Sequence, residues 1–130
     1  MASKKGFSLI ELMISAAILI GVLLPVLILF YNYLVVMEIT RNTTIAVSDA
    51  AFVLESMRST DPFTYTNVSA VANAAVTAVN GAAKLKNEAV TVSYQDTGAD
   101  PLVVTVQVSW QDQVKVRNRS EAIITKLTAR

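Results

Sequence analysis

The dominant pattern in the chain is an apolar run. No residue from 12 to 30 is charged, and apolar character resumes over residues 33–37. A run of 18 or more such residues is long enough to cross the roughly 30 Å hydrocarbon core of a bilayer. Past Met37 the run gives way to a stripe. Ile39, Ala46, Val47, Ala50, Val53, Leu54 and Met57 recur at spacings near three and four, which sets them on one side of a helix. Arg41, Asp49, Glu55 and Arg58 are read as lying largely off that stripe. Asp61-Pro62 stops it, because a residue before proline disfavours the α region. The spacing predicts a helix over residues 7 to about 60, roughly 80 Å long at 1.5 Å per residue. Its first half is apolar all round and its second half has one apolar side.

Beyond Pro62 the pattern changes again. Residues 63–83 carry no charge, and Val68, Val71, Ala75, Val76 and Val79 form the face of a short helix capped at Asn80-Gly81, with an ordered loop as the alternative. Residues 89–95 then alternate, with Val90, Val92 and Tyr94 on one face. Residues 102–111 alternate more regularly, Leu102, Val104, Val106, Val108 and Trp110 opposing Thr105, Gln107 and Ser109. The segment "DTGADP" between them reads as a turn. A third strand is expected over residues 117–128, after a turn near residues 112–114. The expected fold is α+β: a long N-terminal helix packed against a small antiparallel sheet of three to four strands. Trp110 and Tyr94 are read as core residues rather than ligand platforms.

Within the long helix, Gly21 and Pro25 mark a weak point. Pro25 cannot donate to the carbonyl of residue 21 and its ring crowds it, so the helix is expected to kink or unwind there. Phe30, Tyr31 and Tyr33 close the apolar run as an interfacial aromatic belt.

Composition narrows the chemistry. The 130 residues include no cysteine and no histidine. The chain therefore has no disulfide, no thiolate or imidazole metal ligand, and no Cys or His for acid–base work. The acids are scattered without ligand spacing. No catalytic constellation, cofactor site or metal site is expected, and the chain is not read as an enzyme. With about 40 residues in the membrane region, roughly 70–90 remain for a soluble part, near the lower limit for an independent core. The formal net charge of +1 gives no global attraction to nucleic acid or anionic lipid.

The N-terminus has features of a secretory signal, but its apolar stretch exceeds the usual 7–15 residues and no small-x-small site closes it. Hydropathy alone predicts a single-span protein, with Lys4 and Lys5 keeping the N-terminus inside and everything after Met37 outside. Glu11 stands at the front of this run. A charge within a span costs roughly 2.5–3.5 kcal/mol on insertion scales, which makes such a residue a functional candidate. A position at the headgroups beside the lysines is its plain alternative.

Gly6-Phe7-Ser8-Leu9-Ile10-Glu11, preceded by Lys4-Lys5 and followed by the apolar helix, resembles the N-terminus of a type IV prepilin or pseudopilin. The resemblance is specific over residues 4–24. It implies that a prepilin peptidase cuts between Gly6 and Phe7 and that Phe7 is methylated. It also implies that Glu11, fifth in the mature chain, meets the N-terminal amine of a neighbouring subunit during assembly. Loss of residues 1–6 removes Lys4 and Lys5 and takes the formal side-chain charge from +1 to −1. In filaments of this family the segment around the Gly21-Pro25 equivalent often melts. Partners implied are other pilin or pseudopilin subunits through the N-terminal helix, the peptidase, and an inner-membrane assembly platform. The implied location is the bacterial inner membrane as prepilin, then a pilus or a periplasmic pseudopilus.

The soluble part is small and has no cysteine pair, and its ending, "VTVQVSWQDQ" followed by "RNRSEAIITKLTAR", resembles the last hairpin of minor pilins of the pilus-modification type and of the type II secretion pseudopilin with a similar small domain. The expected function is thus that of a minor pilin or pseudopilin in filament assembly or priming. The alternatives are a major pilin forming the shaft and, from another class, a single-span protein with a small binding domain. The C-terminal segment is locally basic, Lys115, Arg117, Arg119, Lys126 and Arg130 standing against Glu121. DNA or an acidic subunit fits such a segment, but charges on the solvent face of a strand are ordinarily edge protection, and DNA is not the expected partner. Three N-x-S/T sequons, at Asn42, Asn67 and Asn118, are assigned no glycan.

Overall fold

The computed structural model describes residues 8–128. Helix α1 (Leu9–Arg58) is followed by α2 (Tyr65–Ala82) and three strands, β1 (Ala89–Tyr94), β2 (Leu102–Gln111) and β3 (Asn118–Leu127). The strands form one antiparallel meander in the order β1-β2-β3. This is the α+β, pilin-like arrangement of a long N-terminal helix and a small antiparallel sheet, with three strands. The chain divides into two compact units, Met1–Met37 and Glu38–Arg130.

In the first unit the described residues are helical from Leu9 onward, and every described residue through Leu34 is exposed. The large side chains from Leu9 to Leu34 are between 44% and 78% exposed. This helix is long and apolar enough to cross a membrane. Helical structure continues through Gly21 and Pro25, so the unwinding considered from the sequence is not present in this conformation.

The second unit has a core built from three sources. From α1 come Ala46, Ala50, Val53, Leu54 and Met57, and from α2 come Val68, Ala72, Ala75 and Val79. The sheet adds Val90, Leu102, Val104, Val106, Val108, Trp110 and Leu127. β2 alternates buried and less buried residues along its length, as a central strand with one covered face must. Its register against β3 sets Val106 opposite Ile123 and Trp110 opposite Arg119.

Several local expectations are corrected. Val47 is 42% exposed, because one step beyond Ala46 turns it about 100° away from the core. Asp49 is buried rather than off the stripe, at 2% exposure. The spacing 42, 46, 49, 53 explains it, since these positions share one helix face. The region after Pro62 is an 18-residue helix, with the Thr64 hydroxyl accepting from the Asn67 N–H at 3.3 Å as an N-cap. That helix does not stop at Asn80-Gly81. It runs to Ala82, and Ala83 takes the left-handed turn (φ 25) while its N–H donates to the Val79 carbonyl. Asn80 has a different role, its side-chain oxygen accepting from the Val90 N–H at 2.9 Å. The carboxamide thereby covers part of the free edge of β1.

Candidate functional site

The peptidase site read from the sequence, Gly6 and Phe7, lies outside the described residues. Glu11 sits in the first turn of α1, where a carboxylate is favoured by the positive end of the helix dipole. The Glu11 and Leu12 N–H groups both donate to the Ser8 carbonyl, at 3.0 and 3.2 Å. The Ser15 hydroxyl donates to the Glu11 carbonyl at 2.8 Å. The Glu11 carboxylate is exposed and enters no ion pair among the described residues. It is an acid set among exposed apolar side chains.

The second unit contains a polar cluster that has no counterpart in the sequence reading. Asp112 directly follows β2 and is 2% exposed. Its Oδ1 accepts from Asn42 Nδ2 at 3.2 Å and from Trp110 Nε1 at 3.1 Å. Its Oδ2 accepts from Arg119 Nε at 2.5 Å. One carboxylate thus ties α1, β2 and β3 together. One turn earlier on α1, Glu38 accepts from the backbone N–H of Gln113 at 2.5 Å and of Val114 at 3.0 Å. These two acids hold the β2–β3 loop to the helix.

Burial pushes the Asp112 carboxyl up, but the hydrogen bonds from Arg119, Asn42 and Trp110 outweigh it and hold the group below the ordinary range. A carboxylate with a depressed folded-state pKa contributes stability that is present above its unfolded value, about 3.9, and lost as pH falls through the folded value. Acid unfolding of the wild type therefore steepens below about pH 4. Asp112→Asn is less stable at neutral pH and shows a flatter acid limb, as Trp110 fluorescence against pH will report.

Asp49, the other buried acid, accepts from Lys84 Nζ across 35 residues of chain. The bond to Asp49 raises the Lys84 ammonium above its usual value, against the opposing effect of desolvation. The pair joins α1 to the connection between α2 and β1. Arg119, counted from the sequence in the locally basic C-terminal segment, is paired with Asp112. Lys115, Arg117 and Lys126 stay exposed, and Arg130 lies outside the described residues.

At the N-terminus, residues 1–24 match the family model of the prokaryotic N-terminal methylation motif. This is a type IV pilin-type leader. The match spans Gly6, Phe7, Glu11 and the start of the apolar run, and supports a pilin-like protein processed by a prepilin peptidase. With the long helix, it fits a membrane-anchored prepilin that assembles with other pilin subunits. No curated protein and no solved structure matches the chain.

Proposed function

We propose that the chain is a minor type IV pilin or pseudopilin, cut between Gly6 and Phe7, methylated at Phe7, and built into a pilus or pilus-like secretion filament. Its role is structural, in assembly or priming, and not catalytic. The single observation that carries this reading is the methylation motif on an exposed apolar helix whose one early acid, Glu11, has no ion-pair partner among the described residues. In an apolar bundle two opposite charges attract strongly, whereas either alone is costly. Glu11 then serves as a register device, penalised until a subunit amine meets it. Lys4 and Lys5 hold the leader in the cytoplasm, which places the soluble unit outside.

The small size of the 38–130 unit and the absence of a cysteine pair favour a minor subunit over the shaft-forming one. Quantitative mass spectrometry of sheared surface filaments tests that choice. A share far below that of the principal subunit supports the minor role, and a bulk share makes the chain the shaft subunit.

A further inference from the structure

The β2–β3 connection, "DQVKVR" at residues 112–117, is more than a turn. Its ends are closed by the Asp112 N–H donating to the Arg117 carbonyl at 2.9 Å. Between them Val114 is 43% and Val116 63% exposed. Lys115 and Arg117 are exposed beside the valines, and neither enters an ion pair among the described residues. Apolar and cationic side chains thus alternate along one short exposed segment.

The place of this segment is set by the acid that holds it. Glu38, which takes the N–H groups of Gln113 and Val114, is the residue directly after Met37, where the apolar run ends. Asn42, on the next turn, holds Asp112. The residue that holds the loop is thus covalently adjacent to the last residue of the apolar run. Where that run crosses a bilayer, the end of it is the headgroup layer, marked by Phe30, Tyr31 and Tyr33 just before.

Val116 adds a second, independent observation. Its φ is 45, in the left-handed region that β-branched residues avoid. Glycine would adopt this geometry freely. Strained backbone that persists clusters at functional positions such as ligand clamps and switch regions, and the side chain carried at this one is apolar and exposed.

We propose that the β2–β3 loop is a membrane-contacting element, with Val114 and Val116 entering, and Lys115 and Arg117 lying on, the anionic lipid headgroups of the bilayer that α1 crosses. The inference rests on the membrane reading of residues 12–37. Basic residues beside a membrane are attracted by anionic lipid, and exposed apolar residues gain by leaving water. The loop can make this contact cheaply, because the N–H groups of Asp112, Gln113 and Val114 are already bonded. The contact holds the soluble unit on the membrane before a subunit enters a filament.

The test uses the full chain in nanodiscs, and the lack of native cysteine makes single-site labelling clean. An environment-sensitive fluorophore is placed on Val116→Cys, on Ile20→Cys within the span, and on Thr97→Cys in the turn at the opposite end of β2. Quenching by nitroxide-bearing lipid is read in zwitterionic discs and in discs containing anionic phosphatidylglycerol. The Ile20 probe is expected to be quenched in both and the Thr97 probe in neither. The Val116 probe is expected to be quenched severalfold more in anionic discs, and to lose that excess with Lys115→Glu/Arg117→Glu or in high salt.

A quenched Ile20 probe with a Val116 probe no different from Thr97 overturns the inference and leaves the membrane reading standing. An unquenched Ile20 probe overturns both. Shielding of the Val116 probe by duplex DNA, or only inside assembled filaments, also overturns it, the loop then being a nucleic-acid or subunit contact. Val114→Cys carries the same test if Val116→Cys fails to fold.

Discussion

Asp112→Ala lowers the stability of the 38–130 unit by about 3 kcal/mol. Removing one partner of a buried ion pair costs roughly 3–5 kcal/mol, because the other partner is left buried and uncompensated. The lower end applies because the Arg119 side chain is 37% exposed and water takes up part of its charge. The loss is large against the roughly 5–15 kcal/mol that holds an ordinary domain together. It also leaves Asn42 Nδ2 and Trp110 Nε1 without their acceptor. Urea unfolding of the full chain in detergent, followed through its single tryptophan, will show a midpoint about 2 M lower. A shift within about 0.3 M of wild type means that the cluster decorates the fold without holding it.

Glu11→Ala has a different target. It removes a charge from an exposed helix turn, so folding of the 38–130 unit is unchanged. Cleavage at Gly6 also proceeds, since the leader and the apolar run are intact. Entry into filaments falls by tenfold or more, the equivalent of about 1.4 kcal/mol or more of lost subunit pairing. Immunoblots of membrane and sheared-filament fractions separate the two steps. Processed protein held in the membrane is the expected result, and wild-type incorporation removes Glu11 from assembly.

The elements that follow a local period were legible. The valine alternation at residues 102–110 places a central strand with one buried face, and the 3–4 spacing of Ala46, Ala50, Val53, Leu54 and Met57 places the helix on it. What escaped was polar and distant in sequence. Asp112 looks like any turn aspartate until Asn42, 70 residues away, and Arg119 are seen to converge on it. Asp49 needs Lys84, 35 residues off, before its burial makes sense. One local signal was available: Asn42 and Asp49 share a helix face with Ala46 and Val53, and polar residues there require partners. Asn80-Gly81 misled because glycine is permitted inside a helix as well as at its end, and no packing contact decided the end locally. Val116 carries a positive φ that no propensity predicts, inside the loop closed between Asp112 and Arg117.

A processed subunit of a type IV pilus-like filament, the role proposed for this chain, begins at its own cleaved N-terminus. The most direct test reads its N-terminus by mass spectrometry in sheared filaments and in membranes of the native organism. The expected result is a chain beginning at Phe7, carrying an added methyl group and recovered with the filaments. A chain retaining Met1 or Ala2, found only in membranes, would contradict it and leave a single-span protein with a small outer domain.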